Sequence, residues 1–162
     1  MDHPNAVLLQ RFYAAFDACD GATMAASYTP DATFSDPVFV GLRDGEPGAM
    51  WRMLTGRARD LKVQLLEHEA DDERGTAHWV ADYTFNTGRH VHNDVHADFR
   101  FRGGLIAAHE DEFSLRGWAR QALGPAGLVL GWTPLLAPKV RRTAREGLDA
   151  YLAEERAGHA AP

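Results

Sequence analysis

Apolar residues in the first third of the chain recur every three or four positions, which is the spacing of one helix face. The pattern predicts amphipathic helices over residues 4–19 and 45–56, the second beginning after Asp44 as its N-cap. A shorter helix is expected to end near Tyr28, and a short strand is expected over residues 32–36. The N-terminal part of the chain is therefore expected to be mainly helical.

From residue 61 the apolar period changes to two, which is typical of β-strands. Short connections containing Gly and Asn separate the strands, so consecutive strands must pair antiparallel, because parallel pairing needs a long crossover. Helices followed by such a sheet favour an α+β fold, in which the N-terminal helices lie on the concave face of a curved antiparallel sheet. The predicted strands lie near residues 62–70, 76–85, 90–102 and 105–115.

The C-terminal part of the chain returns to helical spacing. Helices are expected over about 116–124 and from Thr133 to about Arg156, joined by a link that is rich in Gly and Pro. A length of 162 residues fits a single domain. We therefore expect one domain over residues 1–118 and a helical extension, residues 119–162, that packs on the same domain.

The net charge and the cysteine content limit which classes of partner and which cellular compartment are expected. The chain has 17 Lys and Arg against 23 Asp and Glu, a formal net charge of −6, whereas a nucleic-acid-binding protein needs a basic surface. The single cysteine, Cys19, cannot form an intrachain disulfide, which suits a reducing compartment. The first residues lack the basic and apolar segments of a signal peptide. We therefore expect a cytoplasmic protein that has no nucleic-acid partner.

One segment departs from the acidic average. Residues 113–145 contain six basic residues, no acidic residue and several large apolar residues. Such a segment is compatible with contact with an anionic membrane surface. We expect instead that its apolar residues cap the domain or pack on a partner subunit, while its basic groups stay in water. Membrane contact is therefore not expected.

Four short motifs together resemble a known superfamily. They are QRFYAAF at residues 10–16, PDATFSDP at 30–37, DFRF at 98–101 and AHEDEF at 108–113. Their order and spacing resemble the SnoaL-like, or nuclear-transport-factor-2-like, superfamily, and the resemblance covers roughly residues 5–118. It implies a ketosteroid-isomerase-like cone fold. The superfamily includes steroid isomerases, epoxide hydrolases, polyketide cyclases and non-enzymatic pocket proteins, so the fold leaves the function open.

The resemblance places Asp36 at the mouth of the cone, where the steroid isomerases have their proton-shuttling base. Partly apolar surroundings would raise the pKa of this carboxyl and let it move a proton. The alternative is that Asp36 and Pro37 simply end a strand with a side-chain-to-backbone turn. The two oxyanion donors of the isomerases correspond here to Phe12 and Ala97. Steroid isomerisation is therefore not expected, because a developing enolate would have no donor.

The last predicted strand carries a second candidate site. Phe113 and Leu115 are apolar, and their even-numbered neighbours are polar. The odd-numbered residues of this strand, which include His109 and Asp111, are therefore expected to face the inside of the cone. In polyketide cyclases a similar run supplies an acid/base Asp at the position of Asp111. Epoxide hydrolases also use an Asp there, with an Arg-x-Asp partner that is missing from residues 79–83. Asp111 with His109 is thus either an acid/base site or a buried pair with a structural role.

The register of the last hairpin decides where that site lies. A two-residue turn at Gly103 and Gly104 would place His109 and Asp111 on the face of the even-numbered residues of the preceding strand. That face is expected to point away from the cone. A one-residue β-bulge in the hairpin would remove this conflict.

Histidines and carboxylates alternate along the strand near residues 90–102. A three-residue turn before it would place His78 opposite His96 and Asp82 opposite His92. This arrangement is compatible with a zinc-type metal site, but the same face is also suited to a polar homodimer contact. We expect a homodimer and no metal. The residues that share this face are His90, His92, Asp94, His96 and Asp98.

Residues at inward positions are candidates for lining a ligand pocket, although each is also compatible with a satisfied core. These ligand-binding candidates are Tyr13, Trp51, Trp79, Tyr83, Asn93 and Phe113.

The function hypothesis is a small-molecule pocket protein that acts as an acid/base isomerase, cyclase or hydrolase on a hydrophobic oxygenated ligand. Its catalytic candidates are Asp111, Asp36 and His109. No cofactor is expected, because proton transfer needs none. The alternative is a non-catalytic dimeric module that binds a ligand or a partner. An open cavity with two facing carboxylates would favour the enzyme, and a cavity filled by Trp51, Trp79 or the tail would favour the module.

Overall fold

Within residues 1–160, which the computed structural model describes, the chain forms six helices and five strands in the order helix–helix–strand–helix, four strands, and three helices. Their bounds are α1 Pro4–Asp17, α2 Gly21–Ala26, β1 Tyr28–Ser35, α3 Glu46–Arg57, β2 Lys62–Ala70, β3 Arg74–Thr84, β4 His90–Arg102, β5 Leu105–Glu112, α4 Leu115–Leu123, α5 Pro125–Gly131 and α6 Leu136–Ala160.

The five strands form one sheet in the order β1-β5-β4-β3-β2. The α+β prediction is confirmed: α1 packs against β2 and β3, and α3 packs against β1. Strands β2 to β5 pair antiparallel with their neighbours along the chain, as expected. β1 instead pairs parallel to β5, because all the other strands lie between them in sequence and act as the long crossover that a parallel pair needs.

A β-bulge in the last hairpin sets which face His109 and Asp111 occupy. Gly103 and Gly104 form the turn with φ values of 60° and 76°, a conformation that favours glycine at both positions. The pairing then shifts by one residue, so that Ala107 is left over. His109 consequently lies opposite Phe99, and Asp111 lies opposite Ala97, on the buried face. The bulge removes the conflict that the turn alone would create.

Three local predictions differ from the structure. Tyr28 begins β1 instead of ending a helix, because it pairs with Ile106 of β5. Asp44 does not cap α3: its φ of 55° is left-handed, and Gly45 precedes the helix without a side-chain cap. An N-cap side chain needs an extended backbone to reach the first helical N–H groups. The expected Gly/Pro-rich link contains α5.

The C-terminal helices are attached to the cone, but not all of their apolar residues are covered. Leu148 of α6 is fully buried, and Arg52 of α3 forms a two-pronged ion pair with Glu155 at 2.9 Å for both contacts. α5 turns Gly127 and Gly131 inward, so its larger residues face away from the domain. Some apolar residues of this segment do not cap the cone in the single chain, and their packing on a partner subunit stays a prediction; they are Leu128, Val129, Trp132 and Leu135. Among the described residues, no helix is long and apolar enough to cross a membrane.

Candidate functional site

A chain of four side chains runs through the interior of the cone. Trp51 Nε1 donates to the Tyr28 hydroxyl at 2.7 Å, and this hydroxyl lies 2.7 Å from His109 Nδ1. His109 Nε2 lies 2.8 Å from Asp111 Oδ1. The side chains of His109 and Asp111 are 0% and 3% exposed. The pair is therefore shielded from solvent on the inward face, as the alternation of apolar and polar residues along the last strand predicts.

The donor capacity of these groups fixes the direction of the chain. Indole N–H can only donate, so the Tyr28 oxygen accepts from Trp51 and its own hydrogen points to His109 Nδ1. A neutral imidazole that accepts at Nδ1 carries its hydrogen on Nε2. His109 therefore donates to Asp111 Oδ1 and holds this carboxylate in position.

Aromatic rings enclose His109 on several sides. The imidazole centroid lies 4.2 Å from that of Phe99, 4.9 Å from Phe34 and 5.8 Å from Phe12. This apolar cage excludes water from the imidazole. It also strengthens the hydrogen bonds of the chain, because electrostatic interactions are stronger where the local dielectric is low.

Two of the inward-facing candidates carry buried donors that have no hydrogen-bond partner within the described residues. They are the Tyr13 hydroxyl and Trp79 Nε1, both fully shielded from solvent, on rings whose centroids are 5.6 Å apart. Burial raises the pKa of Tyr13 well above its ordinary value, and the negative charge of Asp111 raises it further. Tyr13 is thus a neutral donor within electrostatic reach of the carboxylate. Buried donors without partners are rare, and such groups point to a ligand, a water molecule or an ion.

Asp36 closes a turn, and its carboxyl also has a raised pKa. Its Oδ1 accepts the backbone N–H groups of Val38 and Phe39, both at 2.6 Å, which closes the turn after β1. Burial raises the pKa of its carboxyl to about 7, against the lowering effect of those two N–H groups, and the charge of Asp111 adds to the increase. The two carboxyl groups therefore influence each other across the cone.

The remaining candidates lie nearer the rim. The Tyr83 hydroxyl accepts from Trp118 Nε1 of α4 at 2.8 Å, and burial raises the pKa of Tyr83. Asn93 is half-buried and lies opposite Ala81, as the predicted register requires. Phe113 follows β5 instead of belonging to it, and packs half-buried against the core.

Packed aromatic rings fill the centre of the cone. Trp51 is 3% exposed and contacts Phe16 and Phe34, with ring centroids 4.9 and 5.6 Å away. Two surface grooves lie outside the cone. One, of about 690 Å³, lies between α6 and the loop before α3, and the other, of about 750 Å³, lies along β2, β3 and β4. A ligand in the cone would therefore have to displace side chains that are packed in this structure.

Comparison with known families places the chain in one of them. The model of the SnoaL-like domain matches residues 9–109, a segment that contains β1 to β4 and reaches His109. The chain belongs to the SnoaL-like domain family. No curated protein matches it significantly in sequence.

Solved structures with the SnoaL-like fold resemble the chain at low sequence identity. An NTF2-like protein of unknown function from Burkholderia pseudomallei is 17% identical, with a TM-score of 0.65, over 74% of this chain and 98% of its own. An LEH-like epoxide hydrolase from M. tuberculosis is 20% identical, with a TM-score of 0.63, over 83% and 96%. A putative polyketide cyclase from Xanthomonas campestris is 21% identical, with a TM-score of 0.62, over 74% and 96%. These likenesses establish the fold.

Sequence reasoning did not assign Tyr28 its place in this SnoaL-like interior. It predicted Tyr28 at the end of a helix, whereas the residue links Trp51 to His109 from the first position of β1. Pro30 argues against a strand at this position, because proline is rare inside strands. In addition, β1 shifts register between Tyr28 and Thr33. The buried pair Tyr28 and Thr29 ahead of the proline was the available signal.

Proposed function

We propose that this SnoaL-like protein binds a small, hydrophobic, oxygen-bearing molecule in its cone and catalyses proton transfer on it, as an isomerase, cyclase or hydrolase. The observation that carries the proposal is the pair of buried, unpartnered donors, Tyr13 and Trp79, whose rings are 5.6 Å apart, together with the charge of Asp111, which acts on Tyr13. A carbonyl or hydroxyl oxygen of a ligand would satisfy both donors. The same position brings a neighbouring C–H or O–H group toward Asp111.

The proposed roles follow from the hydrogen-bond directions. Asp111 accepts the proton, while His109 holds the carboxylate by donating to Oδ1. Charge that develops on the ligand oxygen is stabilised by Tyr13 and Trp79, in the manner of an oxyanion hole. Asp36 is protonated below about pH 7 and returns a proton to the ligand. These steps use only protons, so they need no cofactor.

Side chains on the inward wall would shape the ligand site. Tyr83 lies beside Trp118 at the rim, and Asn93 offers one amide to a polar substituent. Phe113 and Trp51 supply apolar surface. A few polar groups in an apolar wall are typical of small-molecule sites.

A second candidate is a non-catalytic dimeric module, and the packed interior favours it. Trp51 and Trp79 fill the volume that a ligand would need, which is the arrangement expected of a module whose cone is core. We propose that the dimer forms through the outer face of β3 and β4, where His78 faces His96. Light scattering at micromolar concentration should then give twice the 17.9 kDa mass of one chain, and a monomer mass would contradict the dimer.

A ligand panel separates the two candidates. Polycyclic phenols, hydroxyquinones and aromatic polyketones are added singly to the protein, and thermal unfolding and product formation are both followed. We expect at least one compound to raise Tm by mass action and to be converted. Tyr13→Phe, which removes one donor and keeps the ring, should reduce that Tm shift. Binding without conversion would favour the module, and a panel without any Tm shift would contradict a ligand site in the cone.

A further inference from the structure

The outer face of the sheet holds a compact group of metal-binding side chains that the proposed acid/base site does not use. His78 of β3 and His96 of β4 are directly opposite each other in the register, and their rings stack at 4.2 Å with an interplanar angle of 14°. Asp94 lies two residues before His96, on the same face. Each of the three residues offers one ligand atom, and the distances between these atoms are at most 4.8 Å.

The three ligand atoms lie within 4.8 Å of one another. Asp94 Oδ1 lies 2.9 Å from His78 Nε2 and 3.9 Å from His96 Nε2. In a tetrahedral zinc site with bonds of about 2.0–2.1 Å, neighbouring ligand atoms are about 3.3 Å apart. The observed separations lie on either side of this value. Closing the site around an ion would require side-chain rotations that bring His96 Nε2 closer to Asp94 Oδ1 and turn the two stacked rings toward the ion.

The backbone beneath the group is rigid, and its surroundings are acidic. Both histidines lie in the two longest strands, in a continuous ladder that holds them in register. Glu67 pairs with His78 from one side and Glu112 pairs with His96 from the other, so two further carboxylates flank the stacked rings. A cation at this point is favoured by the nearby negative charge.

We propose that His78, Asp94 and His96 form a binding site for a divalent transition-metal ion of the zinc class. Two imidazoles and one carboxylate are ligands that such ions accept. Three protein ligands leave one tetrahedral position, which water fills. This site lies on the face opposite to Asp111, so it is independent of the proton-transfer proposal, whereas it competes with the proposed dimer contact, which uses the same face.

Isothermal titration calorimetry of the untagged full chain with ZnCl₂ tests the site. We expect one zinc ion per chain for the wild type, and at least a tenfold weaker affinity for both His78→Ala and His96→Ala. His92→Ala is the matched control, because His92 lies on the same strand and face but pairs with Asp82. Its affinity should equal that of the wild type. All three positions are at the outer surface, and thermal unfolding without metal verifies that each variant is folded.

A spectroscopic measurement identifies the ligands. Co²⁺ in place of zinc should give the strong visible absorption of a four-coordinate site, and Asp94→Asn should weaken it by removing the charged oxygen ligand. The proposal is overturned if the wild type binds no zinc. It is also overturned if His96→Ala binds zinc as well as the wild type, or if His92→Ala abolishes binding, because the ion would then lie at the neighbouring Asp82 group.

Discussion

Asp111→Asn should abolish turnover of any ligand that the panel identifies, and it should cost little stability. In the wild type His109 Nε2 lies 2.8 Å from Asp111 Oδ1. The amide oxygen of Asn can still accept this hydrogen bond. The amide cannot take up a proton, so the acid/base step is lost. Loss of a positioned general base reduces rates by about 10²–10⁴-fold. Chemical denaturation gives the free energy of unfolding, and product formation gives the rate.

His109→Ala is the comparison variant, because it shows how much stability is lost when the buried pair is broken. It removes the ring from its aromatic cage and leaves the Tyr28 hydroxyl and the Asp111 carboxylate without their buried partner. Leaving a buried charge without its partner costs about 3–5 kcal/mol. If Asp111→Asn costs as much as His109→Ala, the pair serves stability and the acid/base proposal fails. Full turnover in Asp111→Asn would contradict the proposal directly.

Asp36→Asn should make the protein more stable at pH 8 and should flatten its pH dependence between about pH 4 and 7. The pKa of Asp36 is raised to about 7 in the folded protein, against about 3.9 in an unfolded chain. Between these values the folded state holds a proton that the unfolded state has lost, so wild-type stability falls as pH rises through this range. The difference is at most on the order of 4 kcal/mol. Urea denaturation from pH 4 to 8 measures it.

Asp71 provides a matched control with the opposite sign. Its Oδ1 also accepts two backbone N–H groups, those of Glu73 and Arg74, at 2.8 and 2.7 Å. This carboxyl is exposed in a hairpin, and the N–H groups of Arg74 and then Glu73 lower its pKa. Asp71→Asn should therefore reduce stability at neutral pH, and the loss should disappear as pH falls below the ordinary range of Asp. The role of Asp36 would be contradicted if wild-type stability did not fall between pH 4 and 7, or if such a fall were unchanged in Asp36→Asn.

The fold follows from the sequence wherever local pattern and pairing agree. The change of period near residue 61 predicts the sheet, and the short connections predict its antiparallel order. The parallel pairing of β1 with β5 was not predicted, because it joins segments about 80 residues apart and no local pattern encodes such a contact. Asp44 shows a different limit: its type suits an N-cap, but its left-handed backbone is set by the turn around it.

The alternation of apolar and polar residues predicted that the candidate site faces inward, whereas its hydrogen-bond partners follow from three-dimensional packing. Alternation along β5 placed His109 and Asp111 inside, which the register confirms. The link from His109 through Tyr28 to Trp51 joins three separate elements, so no spacing in the sequence indicates it. The missing partners of Tyr13 and Trp79 are likewise a property of the packed interior. Sequence analysis named both residues but gave no reason to single out their polar atoms.

The bulge at Ala107 makes the site depend on how β5 pairs with β4. If the ladder continued one-for-one beyond Ile106, Glu110 would lie opposite Ala97, so that Glu110 and Glu112 would enter the aromatic interior and His109 and Asp111 would turn outward. Deleting Ala107 itself would remove the extra residue and leave His109 opposite Phe99. The pairing of this strand therefore decides which of its side chains face inward, although its residues are the same. Alignments and redesigns of this fold should accordingly treat the bulge as part of the candidate site.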